Sequence, residues 1–267
     1  MINKNKKNNQ KNQFSIISMF HYVRLFYRFV LFVITVVWYL DTRFTQGTVS
    51  IRNNIDNPFL FVLWGVYMLE MIFRFFPSNI ESPGCQKQFK KNYISTGKTE
   101  IKLHDNNAVM IVAIIWIIGN AIFGALHMIN LFDDGIMLII CMVYSVCDMV
   151  CILFFCPFQT WFLKNRCCST CRIYNWDYAM MFTPLFFVPG VYTWTLLIAS
   201  VLLMLRWEIT VWRYPERFSE NTNQYISCAN CNEKLCKHKK QLTHFWKELT
   251  KYTERQVKRI LANDKKN

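Results

Sequence analysis

Four long apolar runs, at 20–40, 58–76, 107–132 and 136–155, constrain this chain more than any other feature. A helix needs roughly 20 mainly apolar residues to cross a hydrocarbon core, and these runs have that length. Their centres are nearly free of charge, and none shows the period-2 alternation of a barrel strand. The composition agrees: 53% of residues are hydrophobic and only 18% are charged, where a soluble domain carries about 25% charged residues. The expected fold class is therefore all-α, a polytopic transmembrane helical bundle in contact with the lipid bilayer.

A fifth apolar region, 174–207, is long for one span and short for two. It contains Pro184 and then Pro189-Gly190. Pro-Gly favours a turn, because proline presets the first turn dihedral and glycine accepts the left-handed one. The sequence thus predicts a helical hairpin with arms 174–188 and 191–207, giving six spans, or four spans plus a re-entrant hairpin. A single kinked helix is the competing reading.

Charge favours the hairpin. With the N-terminus inside and six passes, only Arg43 and Arg52 of the 31 Lys and Arg residues fall outside. Lys87, Lys90, Lys91, Lys98 and Lys102 fall in an inner loop, together with Arg24, Arg28 and Arg74 near span ends. A bias of this kind is what the positive-inside rule describes. It predicts a multi-pass protein of the cell membrane with both termini cytoplasmic. Most tryptophans, Trp207 among them, fall near proposed span ends, as an aromatic belt requires.

The same reading divides the chain into three parts. Residues 1–19 are a basic segment expected to be disordered, 20–212 the transmembrane domain, and 213–267 a cytoplasmic tail. The net charge of +14 flanks apolar runs rather than forming one patch and comes with no binding motif, so nucleic acid is not an expected partner.

Eleven cysteines fall mostly inside apolar segments or in tight clusters, unlike a secreted disulfide framework. The first cluster, Cys156, Cys167, Cys168 and Cys171, follows the fourth run. Its end is expected to reach the N-terminus of the next helix, where unpaired N–H groups and nearby Arg166 and Arg172 would favour thiolate. The second is Cys228-x2-Cys231-x4-Cys236-x-His238. Three soft ligands and an imidazole in so short a loop point first to tetrahedral zinc, which would also supply folding energy. An iron–sulfur cluster is the rival, with a fourth ligand from His238 or from the first cluster. If the hairpin forms, both clusters emerge on one membrane face and can contribute to one site. Beyond them, 240–262 carries apolar residues at near-helical spacing, as an interfacial amphipathic helix would.

Glu70 and Asp148 are the clearest ionisable residues inside the runs. At 1.5 Å per residue each lies roughly 18–21 Å from the outer end of its span, so their depths match. They could share a cavity, a proton or a cation. Haem is not expected, because His127 falls near the outside while His21 and His104 fall near the inside. No phosphate-binding glycine loop, HExxH or Gly-x-Ser-x-Gly is present.

Three functions remain open on these grounds. The first is thiolate metal or redox sites at the cytoplasmic face, with an electron-transfer role and a redox partner protein. The second is a transporter or channel with a structural zinc module and a Glu70/Asp148 ion path. The third is a membrane thiol–disulfide oxidoreductase.

Overall fold

The computed structural model describes residues 16–51, 56–79, 81–103, 106–164 and 167–227. The basic N-terminal segment, the Cys228–His238 motif and the expected amphipathic helix therefore lie outside the described residues. Those described form helices α1 (Ile16–Gln46), α2 (Pro58–Arg74), α3 (Pro83–Gln86), α4 (Asn106–Met128), α5 (Asp134–Leu153), α6 (Asp177–Phe182) and α7 (Val191–Arg213), with short tight turns between them.

Local chemistry sets several of these boundaries. Asn57 caps α2 by accepting from the Phe59 N–H at 2.9 Å, with Pro58 in the first turn. Asp133 caps α5 in the same way through the Ile136 N–H at 2.9 Å. Helix α6 gives way to a 3-10 turn, Thr183–Phe187, where Pro184 has no N–H to continue the α-helical ladder. Helix α7 begins just after Pro189-Gly190. The first arm of the expected hairpin is thus not a regular helix: 3-10 geometry occupies Tyr174–Trp176 and Thr183–Phe187. Because 3-10 turns rise faster than an α-helix, this short arm still extends about 25 Å. It packs against α7, α5 and α4.

Four helices, α1, α4, α5 and α7, are long and apolar enough to cross a membrane. Helix α2 has 17 residues, about 26 Å at 1.5 Å per residue, slightly under the core of a bilayer. The distribution of side chains is inverted relative to a water-soluble bundle. Ile117 and Ile118 of α4 are 63% and 56% exposed, whereas Arg28 and Arg74 are 0% and 1% exposed. Apolar side chains outside and paired charges inside suit hydrocarbon as the surrounding medium.

Contacts define two ends of the bundle. At one, Arg43 pairs with Asp133 at 3.2 Å, and the Ile51 N–H donates to Asp134 at 3.0 Å. Ile51 also lines a groove with Pro189 and Gly190. At the other end, Arg24 pairs with Glu81 at 2.7 Å, and the Lys102 N–H donates to Ser219 Oγ at 3.0 Å. Helices α1, α2, α4, α5, the 174–187 arm and α7 run alternately between these ends. The start of α1 and the last described residues share the second end.

A Cβ on Gly124 of α4 would sit 2.2 Å from the Phe187 ring, so only glycine lets the 3-10 turn lie against this helix.

Candidate functional site: a buried charge cluster beside a cysteine-lined cavity

Arg28 stands in the apolar course of α1 and is fully buried. Its guanidinium donates to Glu70 Oε2 of α2 at 2.6 Å and to Asp148 Oδ2 of α5 at 2.9 Å. It also donates to the Ser145 carbonyl at 3.2 Å and to the Tyr178 hydroxyl of α6 at 3.2 Å. The Tyr178 hydroxyl in turn donates to Glu70 Oε2. Four helices therefore meet on one cation. Glu70 and Asp148, matched in depth by their spacing, are bridged by the protein's own arginine.

The cluster extends toward the second end of the bundle. Arg24, one turn before Arg28, pairs with Glu81 and lies 3.9 Å from Glu70 Oε1. Arg74 pairs with Asp177 at 2.5 Å, and its guanidinium lies 4.6 Å from the centre of the Tyr178 ring. Arg28 and Arg74, counted by the charge reading as cations near span ends, are buried within the bundle. They neutralise carboxylates inside the bundle, because an unpaired charge there would cost several kcal/mol.

Glu81 lies outside the apolar spans. Burial alone would raise its pKa, but Arg24 and Arg74 outweigh that and hold it at about 2. Its folded value lies below the ordinary 4.5. The stability it contributes is therefore complete above about pH 4.5 and is lost as pH falls toward 2. The amount is on the order of 3 kcal/mol. Glu81→Gln should flatten the acid limb of a thermal-stability profile in detergent between those pH values; an unchanged limb would contradict the ion-pair account.

Asp148 and Asp177 also line a cavity of about 80 Å³ with Cys151, Cys156, Cys168 and Cys171. These thiols are near one another in sequence, and a short π turn, Phe158–Phe162, and a 3-10 turn, Cys168–Thr170, fold the chain back so that they share the cavity. The Cys168 thiol donates to Gln159 Oε1 at 3.3 Å, and Cys167 Sγ accepts from Ser169 Oγ at 3.1 Å. Cys167, Cys168 and Cys171 are all buried. The arm expected to begin at Tyr174 opens there with a 3-10 turn and becomes α-helical at Asp177, whose own carboxylate accepts from the Tyr178 N–H at 2.9 Å. The thiols therefore do not sit on a helix N-terminus. Among the described residues, no three His, Cys, Asp or Glu side chains come close enough to hold one metal ion.

Lys87, expected in a solvated loop, is fully buried against this cysteine loop. Its amine donates to the carbonyls of Ser169 at 2.9 Å and Cys171 at 2.8 Å. It lies 5.2 Å from the Trp207 ring centre and 5.4 Å from that of Phe218. Burial pushes the amine down to about 7; a neutral amine still offers two N–H bonds, one for each carbonyl. Trp207, expected in an aromatic belt, is buried instead and donates to the Arg172 carbonyl at 2.8 Å. Arg172 continues the clamp by pairing with Glu208 of α7 at 2.6 Å.

The last described residues join the same end. Arg217 donates to the Gln88 carbonyl at 3.0 Å, and the Gln224 N–H donates to the Ile94 carbonyl at 2.7 Å. Helix α3 touches both the Cys168–Thr170 turn and the Gln224–Ile226 turn. Cys228 thus follows two residues after a turn that shares a support with the first cysteine cluster.

Sequence reasoning missed Arg28, Arg74, Asp177, Tyr178 and Lys87 as members of these clusters. One signal was available for Arg28: it falls one helical turn after Arg24 inside an apolar run. His21 and His127, the described histidines, lie at opposite ends of the bundle; His127 Nδ1 is 3.0 Å from the Phe132 carbonyl. No protein family, curated protein or solved structure matches this chain.

Proposed function

We propose that this chain is an integral membrane protein carrying a thiolate metal site at its cytoplasmic face, built jointly from Cys156, Cys167, Cys168 and Cys171 and from Cys228, Cys231, Cys236 and His238. The observation that carries this reading is the shared support of the two cysteine sets: α3 packs against both the Cys168–Thr170 turn and the turn that leads into Cys228. The described thiols do not form a closed ligand set by themselves; in this reading the tail supplies the remaining donors. Soft thiolates select zinc or an iron–sulfur cluster over hard cations. Zinc is the first choice, because three thiols and an imidazole match its tetrahedral preference. With a cluster, the same place would serve electron transfer to a partner at the membrane surface.

Metal analysis and visible absorbance of anaerobically purified full-length protein test this reading. The expected result is a stoichiometric metal, colourless if zinc and brown if iron, that is lost in both Cys231→Ser and Cys168→Ser. A metal-free wild-type protein would overturn the proposal. Full metal content in Cys168→Ser would remove the loop thiols from the site.

A further inference from the structure

The charge cluster contains three guanidinium groups, Arg24, Arg28 and Arg74, and four carboxylates, Glu70, Glu81, Asp148 and Asp177, joined by ion pairs and by Tyr178. Fully ionised, it would hold one uncompensated negative charge in an apolar interior, which costs several kcal/mol. One carboxylate oxygen stands apart. Glu70 is 7% exposed, and its Oε2 accepts from Arg28 and Tyr178, whereas its Oε1 is the one buried carboxylate oxygen among the described residues without a hydrogen-bond donor. The nearest cation, Arg24 Nε, is 3.9 Å away. Arg28 Nε, Arg74 Nε and Asn175 Nδ2 are also buried without hydrogen-bond partners, so unsatisfied polar atoms concentrate around this glutamate and the residues bound to it.

We propose that Glu70 is an intramembrane proton-binding site, taking up and releasing one proton at Oε1 by way of the cysteine-lined cavity beside Asp148 and Asp177. The ligand is a proton rather than a metal cation for two reasons. Alkaline-earth and similar hard ions need about six oxygens around them, and the four carboxylates are separated by arginines, with no three converging. The guanidinium groups also occupy the space between the carboxylates, whereas a proton requires only one free oxygen. The ionisable groups facing the site are His21, Arg24 and Arg28 of α1, Tyr67 and Arg74 of α2, Asp148 of α5, and Asp177 and Tyr178 of α6. Glu81 and Cys85 face it from the segment after α2. Asp148 and Asp177 connect this set to the cavity, so a proton can arrive from the second end of the bundle. The proton-binding group itself is no part of the proposed metal site, but the route to it passes the cavity that Cys156, Cys168 and Cys171 line.

Infrared difference spectroscopy of the full-length protein in liposomes, between acidic and alkaline buffer, reads the proton directly. The wild-type protein should give one titrating carboxylic-acid carbonyl band that shifts in heavy water and is insensitive to exchange of sodium for potassium. Glu70→Gln should abolish the band, and Glu81→Gln should keep it. The proposal is overturned if wild type shows no such band, if the titrating signal is that of an imidazole, if the band persists in Glu70→Gln, or if it responds to the alkali cation at fixed pH. The wild-type spectrum is informative even if a variant fails to fold.

Discussion

Arg28→Met should destabilise the detergent-solubilised protein by about 3–5 kcal/mol, the usual cost of removing one partner from a buried ion pair. Methionine fills much of the volume of the arginine stem, so lost packing contributes little. The damage comes from Glu70 and Asp148, which lose bonds of 2.6 and 2.9 Å and remain in an apolar bundle. The triple variant Arg28→Met, Glu70→Gln, Asp148→Asn removes the charges together and should recover most of the loss. Denaturant or thermal unfolding of the single and triple variants provides the comparison. A single variant as stable as wild type would contradict the cluster, as would a triple variant no better than the single.

Lys87→Met has the second largest expected effect, about 2–4 kcal/mol. It leaves the carbonyls of Ser169 and Cys171 buried without their donor, at about 1–3 kcal/mol each if relaxation does not rescue them. It also removes the contact with the Trp207 face. The loss should be local before it is global. Cys167, Cys168 and Cys171 are shielded while Lys87 ties their loop to α7, so the variant should react with thiol reagents at these cysteines well before it unfolds. Equal labelling rates for variant and wild type would mean that Lys87 does not hold the loop closed.

Much of the architecture was legible because hydrocarbon imposes a simple rule on helix length. The runs at 58–76, 107–132 and 136–155 differ from α2, α4 and α5 by a few residues. The Pro189-Gly190 break coincides with the start of α7, since the chemistry of a turn is local. The interior was less legible. Charge counting assigns any arginine near a span end to a loop, and the partners of Arg28 lie 42 and 120 residues away. Nothing in a linear pattern marks that pairing. Lys87 was read as solvated for the same reason: its acceptors, Ser169 and Cys171, lie 82 and 84 residues on and are backbone carbonyls without a sequence signature. The cysteine cavity was half legible, because clustering suggested a site while the turns that bring Cys151 and Cys156 beside Cys168 and Cys171 were not foreseen.

The central claim is that both cysteine sets lie on one face of a membrane-embedded bundle. Single cysteines at Gly97, Thr170 and Ser227, and at Gln46 and Asn130, can each be placed in a cysteine-free background and labelled with a membrane-impermeant thiol reagent from either side. The first three should react only from the cytoplasmic side and the last two only from the other. Labelling of Thr170→Cys and Ser227→Cys from opposite sides would contradict the shared face and, with it, the joint metal site.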